Sequence, residues 1–171
     1  MNYRRLLVPV IVTFLLAISC QPEKTTEYWP PDLYVEGIPV STRSSGPLLE
    51  DEVEALTLLG KGLVELGYMR SDVPCVIFIR TPEQKVPEMC GSDGCCDRWN
   101  ECPDALGAQE RVEGEGFSGL QRGDHVFVSR IGDRARKLKS LLAHEFAHWV
   151  CDCEDGDPML KAIETELKET M

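Results

Sequence analysis

Apolar residues recur at helical spacing through LLEDEVEALTLLGKGLVELGYM, residues 48–69, at Leu49, Val53, Leu56, Leu59, Leu63 and Leu66. Acidic side chains crowd the first turn, where they complement the helix dipole. The pattern therefore predicts an amphipathic helix ending near Gly67. VPCVIFIRT, residues 73–81, is a dense β-branched and aromatic run suited to a buried strand, and DHVFVSRI, 124–131, alternates like a second one. Gly132 and Asp133 offer a cap for a helix running to Cys151, with Leu138, Leu141, Leu142, Phe146 and Trp149 on one stripe. DCEDGDP breaks that helix. Asp157 then caps, and Pro158 starts, a last helix over PMLKAIETELKETM. Helix, strand, loops, strand, helix, helix is an α+β order.

The remaining stretches lack such periods. Residues 82–123 hold a cluster of four cysteines among many Gly, Asp and Glu, and read as a disulfide-pinned loop region. RGD at 122–124 resembles an adhesion tripeptide, but directly before a strand it reads as a turn. From Gln21 to about Pro47 the chain is rich in Pro, Ser, Thr and charge, and is expected to be a flexible tether. Tyr28, Trp29, Leu33 and Tyr34 leave open an irregular arm packed on the domain. Ahead of it, Arg4 and Arg5 precede an apolar run from Leu6 to Ile18, too short to span a bilayer comfortably, as in a secretory signal. Its end, LAISC, resembles the lipobox of bacterial lipoproteins, which implies cleavage before Cys20 and a lipid on that cysteine. The expected organisation is a signal at 1–19, a lipidated tether at 20–47 and one folded domain at 48–171. Gln21 after the lipidated cysteine leans towards the outer membrane of the cell envelope.

Charge and cysteines narrow the picture. The chain carries 18 basic and 29 acidic side chains, net −11; losing Arg4 and Arg5 with the signal brings this to −13. Nucleic acid is thereby disfavoured as a partner. Seven of the eight cysteines follow Cys20. In an exported protein they are expected to form disulfides, leaving one unpaired, with a connectivity that sequence cannot supply. CGSDGCCDRWNEC lacks the paired spacing of a structural zinc site.

Within the 141–158 stretch LLAHEFAHWVCDCEDGDP, His144 and His148 stand four apart. On a helix that spacing separates them by about 40° and one turn, so both imidazoles can aim at one point, where a zinc ion would sit. Held by neutral imidazoles with one position open, zinc lowers the pKa of a bound water towards about 7. Glu145, between the pair and the apolar stripe, could take that water's proton and return it to a leaving amine.

These residues match the HExxH signature, and here the chain resembles the zincin metallopeptidases. The resemblance covers chiefly the last 40 residues. It implies His144 and His148 as Zn2+ ligands, Glu145 as general base, a small zincin-like α+β domain, and hydrolysis of a peptide or protein substrate. The extended pattern HExxHxxGxxH is not met, since Cys151 and Glu154 stand where it requires Gly and His. The gluzincin variant takes its third ligand from a glutamate on the following helix. Glu164, projecting from the apolar face of Leu160, Ile163, Leu167 and Met171, fits that role, although Lys168 stands where a supporting aspartate is common. Asp152, Glu154, Asp155 and Asp157 in the intervening turn are alternatives, as is His125. Cys151 and Cys153 are expected to pin the end of the active-site helix to the cysteine-rich loop. Two rivals stand beside the enzyme. One is a non-catalytic binding lipoprotein stabilised by metal or disulfides; the other is a cysteine-rich interaction module in which HEFAH is chance.

Overall fold

A computed structural model describes residues 28–91, 94–102, 119–131 and 137–171. Among them are three helices, a mixed five-stranded sheet and a two-stranded sheet, an α+β arrangement. The first helix, α1 (Glu50–Glu65), begins where expected. The Glu52 carboxylate accepts the Leu49 N–H at 2.8 Å, half of a capping box, because Leu49 has no side-chain oxygen to complete it. It ends in a Schellman motif: Gly67 turns left-handed at φ 74°, and Tyr68 N–H reaches the Leu63 carbonyl at 2.8 Å. Leu56, Leu59 and Leu63 are buried, whereas Leu49 and Val53 are exposed.

Within residues 28–47, the described part of the expected tether, the chain forms a hairpin, and residues 20–27 lie outside the described residues. Strands β1 (Leu33–Val35) and β2 (Ile38–Val40) pair antiparallel around Glu36 and Gly37, both at positive φ, as a two-residue turn of this hand requires. Asp32 closes its base by accepting the backbone N–H and hydroxyl of Thr42. Gly60 of α1 lets the turn approach, since a Cβ there would lie 2.5 Å from the Glu36 carbonyl. Ile38 and Val40 are wholly buried, so apolar burial outweighs the local Pro and Ser content. Trp29 is buried as well, while Tyr28 and Tyr34 are exposed.

Strands β3 (Cys75–Ile79) and β7 (His125–Ser129) form the parallel centre of the sheet, whose order is β1-β2-β3-β7-β6 with β6 at Gly119–Arg122. Every residue of both strands is buried, as a parallel pair covered on both faces demands. Val76, Phe78, Val126 and Val128 pack on the helices. Ile77, Ile79 and Phe127 pack on Trp29, Trp99 and the Cys96–Cys102 disulfide. The region expected to be loops therefore contributes strands: β4 (Lys85–Gly91) pairs with β5 (Gly94–Arg98), and β6 (Gly119–Arg122) pairs antiparallel with β7. Cys96 is buried in this hairpin while Cys95 and Asp97 are exposed, and a cysteine on each face hides the period. Gly123 and Asp124 make the expected turn between β6 and β7.

Helices α2 (Leu138–Cys151) and α3 (Pro158–Thr170) complete the layer. The expected cap at Gly132 and Asp133, like the signal and Cys20, lies outside the described residues. Asp157 caps α3 as expected, accepting Met159 N–H at 2.8 Å with Pro158 at the first position. No helix among the described residues is long and apolar enough to cross a membrane.

Candidate metal centre

The centre is built from one face of α2, the turn after it, and α3. Leu138, Leu142 and Phe146 bury the inner face of α2 and thereby fix its rotation. His144 and His148 then fall at the boundary with solvent, and Glu145 turns inward against the sheet edge β6. Their side chains differ accordingly: Glu145 is 5 % exposed, His148 is 18 % and His144 is 32 %.

The two imidazoles converge. Nε2 of His148 lies 3.2 Å from Nε2 of His144, and Oδ1 of Asp155 lies 3.4 Å from each. The opposite ring nitrogens are held by acceptors. His148 Nδ1–H donates to the Cys153 carbonyl at 2.7 Å, and His144 Nδ1–H to the Glu164 carboxylate at 3.3 Å. In the neutral form these acceptors select, the protons sit on Nδ1 and both Nε2 lone pairs face Asp155. In that form three acceptors meet at one point, an arrangement that a proton or a metal cation among them relieves. A tetrahedral zinc with ligands at about 2.0–2.2 Å sets neighbouring ligand atoms about 3.3–3.6 Å apart, which the three separations match within about 0.1 Å. His144, His148 and Asp155 thus fit a zinc ion, each offering one ligand atom.

The turn is shaped for this. Asp152 ends α2 in the left-handed region at φ 53°, its N–H on the His148 carbonyl at 2.8 Å. That reversal brings the Cys153 carbonyl back to His148, and Gly156 at φ 91° carries the chain past Asp155 to the α3 cap. Cys151 and Cys153 close a disulfide on each other rather than on the cysteine-rich loop, tying the turn locally. Cys95 is disulfide-bonded too, and Cys75 is the free thiol among the described residues, buried so that its pKa is pushed up to about 12.

Glu145 accepts the backbone N–H of Gln121 on β6. Burial pushes its carboxyl up to about 8, and the nearby acids Asp155 and Glu164 push the same way against that one hydrogen bond. Gly119 on the same strand makes room for it, because a Cβ there would lie 2.2 Å from Glu145 Oε1. Glu164 differs from its expected role: it meets His144 at Nδ1, the nitrogen away from the convergence point, and pairs with Lys168 through its other oxygen. Burial opposes its ionisation, but Lys168 and His144 together hold its carboxyl below the ordinary value. His125 stands elsewhere, buried, with Nε2 accepting the Trp29 N–H at 3.2 Å. Asp152, Glu154 and Asp157 do not join the cluster.

A cleft of about 460 Å³ opens between α2 and α3 beside His144, floored by Leu141 and flanked by Lys137 and Lys168. The Gln121 N–H, the Cys153 carbonyl and Gly119 were not legible as functional positions. Two are backbone groups, and the third acts by lacking a side chain. No protein-family model, curated protein or solved structure matches the chain.

Proposed function

We propose that this chain is a zinc-dependent peptide-bond hydrolase of the zincin kind, with zinc held by His144, His148 and Asp155 and with Glu145 as general base. The observation that carries this reading is the meeting of two Nε2 lone pairs and a carboxylate oxygen at zinc-ligand spacing, with both Nδ1 protons engaged elsewhere. Bound there, zinc would supply a Lewis acid and an activated water.

The chain's own groups would do the rest. Glu145, held by the Gln121 N–H and poorly solvated, is a stronger base than an exposed glutamate and could receive a proton and deliver it to a departing amine. The Cys153 carbonyl and Glu164 keep both imidazoles in the ligating tautomer. The LAISC sequence supports a lipid at Cys20, which would hold the enzyme in the cell envelope, on the outer membrane, among peptide or protein substrates. The deep burial of Glu145 also favours a second reading, a lipoprotein in which the metal serves stability alone. Glu145→Gln separates the two. The enzyme predicts that this variant keeps stoichiometric zinc and loses hydrolysis of a broad peptide library; a wild type that binds zinc but cleaves nothing supports the second reading.

A further inference from the structure

Two acids approach the histidine pair, and they do so from different sides. Asp155 faces both Nε2 atoms, at 3.4 Å from each, from a turn whose conformation is set by Gly156 and the Asp157 cap. Glu164 faces His144 Nδ1 at 3.3 Å and is joined to Lys168, one turn further along α3, through its second oxygen. Lysine four residues after glutamate on a helix is the favourable order for such a pair. A carboxylate engaged by an imidazole N–H on one oxygen and an ammonium on the other has both oxygens occupied away from the Nε2 atoms.

We propose that Lys168 decides which acid completes the metal shell: it holds Glu164 back as a positioning residue on His144 and leaves the third ligand place to Asp155. The assignment rests on the zinc reading above. Its physical basis is competition for one carboxylate. Without Lys168, Glu164, half-buried beside His144, would gain a cation by turning inward. With Lys168 present it already has one. Glu164 then acts through His144, fixing the Nδ1–H tautomer and the ring plane, as the Cys153 carbonyl does for His148. A substitution that resembles a lost support for a ligand thereby becomes the reason for a different ligand.

Cobalt(II) in place of zinc in the full chain tests this, because the visible absorption of the bound ion reports the ligands that touch it. Asp155→Asn is expected to change the cobalt spectrum and to cause the largest loss of affinity. Glu164→Ala should lower affinity roughly 10- to 100-fold with the spectrum unchanged, and Glu164→Gln, whose amide oxygen can still accept from Nδ1–H, should recover most of that loss. In the double variant Asp155→Asn, Lys168→Met, the released Glu164 should restore a carboxylate-ligated spectrum. A spectrum altered by Glu164→Gln and untouched by Asp155→Asn would overturn the ligand assignment. A double variant identical to Asp155→Asn alone would overturn the role of Lys168. Wild-type protein that takes up neither cobalt nor zinc would overturn the proposed function and this assignment together.

Discussion

Gly119 and Glu145 are separated by so little space that a single methyl group decides where the carboxylate sits. A Cβ at Gly119 would fall 2.2 Å from Glu145 Oε1. Gly119→Ala is therefore expected to displace Glu145, cost about 1–3 kcal/mol by overpacking, and lower hydrolysis while leaving zinc content intact. Urea titration and elemental analysis on the same preparation check this. A second residue-scale prediction concerns His125, whose pKa is lowered from 6.5 chiefly by burial, with the Asp124 charge only partly offsetting it. The unfolded chain binds the proton more readily, so this residue's contribution is fully present above about pH 6.5 and is lost as pH falls below it towards the lowered folded value. The urea midpoint should drop over that window, and His125→Gln should flatten the drop. At this scale the histidine pair and Glu145 were legible, because HExxH on an amphipathic stripe fixes both spacing and burial. Glu164, expected as the third ligand, lies on the expected face and meets His144 at Nδ1. A helical period shows which way a side chain leaves the axis, not that Lys168 would claim one of its oxygens.

Among the elements, α1 is anchored by charge as well as by its apolar face. Glu52 is wholly buried, 2.7 Å from Arg80 Nη2 and 3.6 Å from Arg130 Nε, so the helix start is clamped to the ends of β3 and β7. Glu52→Ala would leave Arg80 with the Pro47 carbonyl alone and Arg130 with Asp51 alone, and is expected to cost about 1–3 kcal/mol, read as a shift in denaturant midpoint with zinc affinity unchanged. The cap of α3 is closer to the metal. Asp157→Ala should cost about 1 kcal/mol and, by loosening the turn that presents Asp155, weaken zinc binding measured by competition with a chelating dye. All three helices and both central strands were legible, since their periods are set by burial on one face or on two. The β1–β2 hairpin was hidden inside a Pro- and Ser-rich stretch. Its signal was Glu36-Gly37 between Leu33–Val35 and Ile38–Val40. β4 and β5 escaped because strand pairing across a cysteine-rich segment leaves no alternation in the sequence.

For the molecule as a whole, the sheet and the helices serve to hold one face of α2 against one turn. The turn itself is short and solvent-facing, with Asp155 65 % exposed, so its order should depend on what it binds. Zinc at 100 times its dissociation constant is expected to stabilise the fold by about 2.7 kcal/mol, and excess chelator should reverse this fully. That gain should shrink sharply in Asp155→Asn. The Cys151–Cys153 and Cys96–Cys102 disulfides tie the turn after α2 and the second core. The most direct test of the central claim is a paired measurement on the full chain: zinc stoichiometry and peptide hydrolysis in wild type beside Glu145→Gln. The account predicts one zinc per chain in both proteins and hydrolysis in the wild type alone; a wild type without zinc, or equal hydrolysis in the two, would contradict it.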